Sequence, residues 1–242
     1  VDKVVIARRL REVRALEGYQ RYTPEGNLIK PSLSGDFDKY PGLEVFGEGI
    51  FITLNEESVS EWEKISSIAE RANNLTQRKE VSIFESWLPD VTPRFVLLHT
   101  FAHLLIRQMA FESGYSSASL RERIYAKNDP GNMQAGILIY TASGDSEGTL
   151  GGLARKGEAP NLAKTIISAL RTSSWCSNDP ICMEMAGQGI DDLNKAACHA
   201  CALVSETSCV YNNTLLDRGF LFGDDKGVKG FFEPILKGIF NS

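Results

Sequence analysis

TPRFVLLHTFAHLLIRQMAFESG, residues 92–114, reads as one long helix that must be buried over most of its circumference. Thr92 suits the N-cap, Pro93 the first helical position and Gly114 the C-terminal stop. Phe95, Leu98, Ala102, Leu105 and Met109 recur at 3,4 spacing, and Val96, Ile106 and Ala110 form a second stripe that His99 and His103 share. A helix apolar over so wide an arc belongs in the interior, covered on several sides. The rest of the chain must supply that cover.

Downstream, AGILIYTA (135–142) alternates β-branched and other apolar residues and is expected to be a central strand. The loop SGDSEGTLGGLARKGEAP and the helix NLAKTIISALRTSSW follow it, a strand–loop–helix unit. Upstream, GLEVFGEGIFITL looks like a hairpin turning at Gly-Glu-Gly. Asn55 then precedes a polar helix, EESVSEWEKISSIAERANNL, with Trp62, Ile65 and Ile68 on one face. Residues from Gly18 to Gly49 are rich in Gly, Pro, Asp and Tyr and read as irregular surface. At the amino end, Ile6, Leu10 and Val13 have helical spacing but KVVI favours a strand, so both readings stay open. The tail GVKGFFEPILKGIF carries an apolar cluster that must dock on something.

The 242 residues can bury a substantial core, and 43% hydrophobic with 24% charged residues fits a globular protein. No apolar run reaches the roughly 18 residues of a membrane span, so no membrane partner is expected. A net charge of −5 excludes a chain-wide positive field, and nucleic-acid binding would need a local basic patch. The amino end lacks signal-peptide order, which makes a cytoplasmic location, without disulfides, the default expectation. The chain does not begin with Met, as a piece of a longer protein would not.

Five cysteines fall at Cys176, Cys182, Cys198, Cys201 and Cys209. A Cys-x-x-Cys turn points two sulfurs at one place, and a second pair completes a tetrahedron, the geometry of structural zinc. Between Cys182 and Cys209 few large apolar residues are present, so metal binding would supply folding energy there. A redox pair needs a preceding strand, which LNKAA does not offer, and inert buried thiols are rarely this dense. Five sulfurs for four places leave one spare. Cys198, Cys201 and Cys209 are the first three choices and Cys182 the fourth, with Cys176 as rival and His199 a remote third. Four protein ligands leave no position for substrate, so this zinc would be structural.

His99 and His103 lie one helical turn apart, a spacing that suits metal binding, but Thr100 stands where a protease motif needs Glu. The simpler reading is a pair of core histidines hydrogen-bonded to backbone. The functional alternative is a metal-dependent hydrolase or nuclease with His99 or His103 as general base and Asp145 assisting. The glycine-rich loop 143–157 could cradle phosphate, but Asp145 and Glu147 would repel an anion, and a structural turn is favoured. No Walker lysine motif is present.

Laid side by side, RLREVRALEGYQRYTP, GEGIFITL, LLHTFAHLLIR, GYSSASLRERIYA, GILIYTASGDSEGTLGGL, WCSNDPIC and LNKAACHACALVSETSCVYNNTLLDR resemble the carboxy-terminal part of the DrmB family over residues 1–223. That family is the helicase-associated component of the DISARM anti-phage defence system. The cysteine segment is also similar to the zinc-binding module of MrfA-type DNA-repair helicases. That resemblance implies zinc on Cys182, Cys198, Cys201 and Cys209, with Leu216-Asp217-Arg218 matching a trailing phrase. It also implies a non-enzymatic protein that partners a superfamily 2, DrmA-like helicase and contributes to DNA binding. Candidate phosphate contacts are Arg8, Arg9, Arg11, Arg14, Arg121, Arg123, Arg155 and Lys156.

The expected fold is α+β, a mixed sheet packed with helices plus a zinc-stabilised cysteine segment. Residues 1–90 form an amino-terminal segment, 91–223 a helicase-associated domain with its zinc module at 176–218, and 224–242 a tail.

Overall fold

A computed structural model describes residues 1–19, 27–31, 39–141 and 152–240. A four-stranded sheet holds strands β1 (Lys3–Ala15), β2 (Gly42–Thr53), β3 (Leu120–Tyr125) and β6 (Gly136–Thr141) in the order β1-β2-β6-β3. Two short strands, β4 (Asn128–Asp129) and β5 (Asn132–Met133), pair at the tip between β3 and β6. The α+β class expected is the class found, and every pairing between these strands is antiparallel.

The helices are α1 (Glu56–Glu63), α2 (Ser66–Glu80), α3 (Pro93–Ser113), α4 (Gly152–Lys156), α5 (Ala159–Ser173), α6 (Ile181–Glu184), α7 (Gly219–Phe222) and α8 (Glu233–Phe240). Helix α3 has the boundaries its sequence predicts. The Thr92 side chain accepts from the Phe95 N–H, Pro93 occupies the first turn and Gly114 ends the helix at φ 69°. Its buried residues include every one from Arg94 to Ile106, so neighbours cover it all round. One sheet face covers it through Ile50, Ile52, Ile137 and Ile139. The expected central strand is β6, an interior strand of the sheet.

Two local readings are corrected and one left open is settled. The open question at the amino end resolves as strand β1, which pairs with β2 along nearly its whole length across a register shift between Ala7 and Leu10. Pairing with a partner edge outweighs the helical spacing of Ile6, Leu10 and Val13. The expected GLEVFGEGIFITL hairpin is instead one continuous strand, β2. Its glycines serve close approach and make no turn: a Cβ on Gly47 would lie 1.7 Å from the Thr141 carbonyl oxygen. The single polar helix is split at Ile65, whose backbone is extended, into α1 and α2. Asn55 does cap α1, accepting from the Ser58 N–H.

The tail docks as required. Phe231 packs edge-on against Trp62 at 5.7 Å between centroids and Phe232 lies 5.0 Å from Phe101 of α3. A single cluster of buried apolar residues runs from Ile50 to Leu236.

Candidate metal centre

The segment after α5 has little regular structure. Among the described residues, every non-glycine residue with positive φ lies between Asp191 and Leu215, in this segment. Conformations of that kind cost on the order of 1–3 kcal/mol each and persist where the surroundings dictate them. A cluster of four thiols and a clamp from α3 hold this segment. Arg107 of α3 donates to the carbonyls of His199, Ala200 and Leu203, holding the Cys-x-x-Cys turn against the helix.

The four thiols belong to Cys176, Cys182, Cys198 and Cys201, whose sulfurs all lie within 4.8 Å of one another. Cys176 and Cys198 are 3.6 Å apart, Cys182 and Cys201 3.8 Å, and Cys198 and Cys201 3.8 Å. A disulfide needs about 2.05 Å. Zinc–sulfur bonds of about 2.3 Å in a tetrahedron give edges of about 3.8 Å. The donor set and its spacing therefore fit zinc.

The surrounding shell is built for negative charge on sulfur. Backbone N–H groups of Asn178 and Cys198 donate to Cys176 and Cys201, and the side-chain amides of Asn178 and Gln188 donate to Cys198 and Cys182. Burial by itself would raise the Cys198 thiol, but the Ala200 backbone, Cys176 and Asn178 lower it to about 7. Burial pushes Cys182 and Cys201 up, against the opposing pull of Arg218. Arg218, wholly buried, donates to Asp179 and to the carbonyls of Ala196 and Ser173. Burial would lower its pKa, but Cys201, Asp179 and Cys182 raise it, so it stays charged beside the sulfurs.

The expected ligand set, Cys182, Cys198, Cys201 and Cys209, is not the set that converges. Cys176, the rival, joins the first three, and Cys209 lies elsewhere; His199 is exposed. Asp179 explains the exchange. It accepts from the Cys176 N–H and pairs with Arg218, drawing the start of the segment into the cluster.

Cys209 belongs to a second group with His99, His103 and Glu122, all four of them buried. Helix α3 supplies the histidines, and β3 turns Glu122 inward beside Leu120 and Ile124. Burial lowers the pKa of His99, against the opposing pull of Glu122. For Glu122, burial acts to raise the pKa, but His99 and His103 hold it well below the usual carboxylate range. Sequence reading missed Glu122, although period-2 alternation in LRERI places it on the face opposite Arg121 and Arg123. Arg107, Asp179 and Gln188 were missed as well, since only the tertiary fold brings them to the sulfurs. His99 and His103 have no solvent exposure. Asp145 lies outside the described residues, as do the first nine residues of the glycine-rich loop. Where that loop enters α4, the N–H groups of Leu153 and Ala154 are taken by the buried carboxylate of Glu48.

Several of the basic candidates have partners of their own. Arg9 stacks over Phe46 at 4.7 Å, and Arg8 lies 3.9 Å from Glu158. Arg14 is bound to Glu12 at 2.6 Å, with Arg121 at 4.0 Å from the same carboxylate, and Lys156 pairs with Glu112 at 2.8 Å. Arg11, Arg123 and Arg155 are exposed.

The model of the MrfA Zn-binding domain family matches residues 101–202, a range that holds Cys176, Cys182, Cys198 and Cys201 and stops before Cys209. The chain is also similar to DISARM protein DrmB of Bacillus paralicheniformis, at 38% identity over 98% of its length. That alignment covers 43% of the Bacillus protein, so the chain spans less than half of that relative. Residues 101–202 therefore match the MrfA Zn-binding domain family, within a chain that is similar to DISARM protein DrmB along nearly its whole length.

Proposed function

We propose that this chain is a non-enzymatic module of a DISARM defence component, in which structural zinc on Cys176, Cys182, Cys198 and Cys201 fixes a surface that partners a superfamily 2 helicase and contributes to DNA binding. The observation that carries the reading is the match to DrmB combined with four thiols spaced for a closed tetrahedral ion. Closed sites serve folding, because no coordination position is left for water or substrate. Beside the cluster, exposed Phe111 and Trp175 flank a cleft that Cys176 and Cys201 also line. An apolar surface of this kind suits a protein partner. Arg8, Arg9, Arg11, Arg123 and Arg155 are exposed cations that suit phosphate.

Co-expression with a DrmA-like superfamily 2 helicase tests the reading. The two should co-elute, and DNA affinity should fall with salt, the logarithmic slope shrinking by about 0.9 for each phosphate-contacting Arg replaced with Ala. Separate elution, with no DNA affinity at low salt for either the chain or the mixture, would refute it.

A further inference from the structure

We propose that His99, His103, Glu122 and Cys209 hold a second structural zinc ion, separate from the tetrathiolate. The geometry makes the case. His103 donates its Nδ1–H to the Ala202 carbonyl at 3.0 Å, so in the neutral imidazole Nε2 is a lone pair free to bind a metal. That Nε2 lies 3.4 Å from the Glu122 Oε1 and has no hydrogen-bond partner. His99 Nε2 lies 3.0 Å from the same oxygen and 3.2 Å from the Cys209 sulfur. Glu122 Oε2 is also without a partner. With neutral imidazoles and Cys209 as the thiolate, acceptors face acceptors in a space with no solvent exposure.

One proton on His99 can satisfy Glu122 or Cys209, but it leaves the His103 nitrogen and the second carboxylate oxygen unpaired. Each unpaired buried group costs on the order of 1–3 kcal/mol. A divalent cation engages all four donors together. The charges also close: two neutral imidazoles, one carboxylate and one thiolate around a 2+ ion sum to zero, the arrangement a buried site favours.

The distances agree with this ion. Zinc bonds of about 2.0–2.1 Å to N or O, and about 2.3 Å to S, give tetrahedral edges of about 3.3 Å between N and O and about 3.6 Å between N and S. The observed 3.0, 3.4 and 3.2 Å approach these values without metal-imposed spacing. Cys209 also accepts from the backbone N–H groups of Tyr211 and Asn213, both at 3.3 Å, as a ligating thiolate does. Mixed N, O and S donors suit zinc. Helix α3, strand β3 and the cysteine segment each supply donors, so the ion ties the three together.

X-ray absorption and metal analysis of the full wild-type chain, purified without chelator, test the proposal without relying on any variant. Two zinc ions per chain, with a first shell of sulfur near 2.3 Å and nitrogen or oxygen near 2.0–2.1 Å, are expected. Glu122→Gln with His103→Asn should remove one ion and leave a pure sulfur shell, whereas Cys176→Ser should deplete the sulfur-rich site and leave the mixed one. A single ion, or two ions, in a pure sulfur shell in the wild type overturns the proposal. One ion in a mixed N, O and S shell supports it and counts against the tetrathiolate instead, and a metal-free chain overturns both.

Discussion

Arg218 offers the sharpest test of how the cysteine cluster is held. It has no solvent exposure, and its guanidinium donates to Asp179 at 2.8 and 3.1 Å, to Ala196 O at 2.8 Å and to Ser173 O at 3.1 Å. Four thiolates around one zinc ion carry a net charge of −2, and Arg218 is the wholly buried cation beside them. Arg218→Met keeps most of the side-chain volume, which limits any cavity, but strands the Asp179 carboxylate. Breaking a buried ion pair from one side costs about 3–5 kcal/mol, and urea unfolding of the zinc-loaded chain should show a loss of that size. Loss of a group that supports metal ligands weakens metal binding about 10- to 100-fold, or about 1.4–2.8 kcal/mol. Competition for zinc against a chromophoric chelator measures that loss directly. Arg218→Lys should fall between, because an ammonium keeps the charge but cannot span Asp179 and both carbonyls. If Arg218→Met keeps wild-type zinc affinity and an unchanged urea midpoint, the electrostatic account of the cluster is wrong.

Removing metal with a strong chelator should lower the melting temperature and loosen the segment after α5 first, which hydrogen exchange would register as lost protection between residues 176 and 218. Equal melting with and without chelator would refute a structural ion. Glu48→Ala should cost about 1–3 kcal/mol for each of the two buried N–H groups at the start of α4 that it strands, seen in thermal melts; no change would mean that solvent reaches them. Glu112 links α3 to Lys156 and Thr165. Burial would raise its pKa, but Lys156, Thr165 and Gln108 lower it. Because the folded-state value is depressed, this contact stabilises fully above the unfolded pKa and is lost as pH falls through the folded one. Lys156→Met should therefore reduce stability at neutral pH and flatten its acid-side decline, and an unchanged pH profile would exclude the linkage.

Helix α3 was legible in the sequence because a cap, a proline, a stop glycine and two apolar stripes all agree along one local segment. Strand β6 was legible for the same reason, and so was the presence of a four-thiol site, since the Cys198–Cys201 turn needs only three residues of spacing. The glycines of β2 were misread because a turn and a close crossing use the same residue type, and only the approach of Thr141 to Gly47 tells them apart.

The amino-acid sequence by itself determined the α+β class, the central buried helix and the abundance of metal-ligating side chains. Which ligands meet was decided by tertiary structure alone. Along the chain Cys209 ranks ahead of Cys176, but Asp179 and Arg218 draw Cys176 to the thiol cluster, while α3 and β3 present two imidazoles and a carboxylate to Cys209. Coordination depends on where donor atoms stand in space, and residues more than a hundred positions apart come within 4.8 Å only after the helix is packed against the sheet.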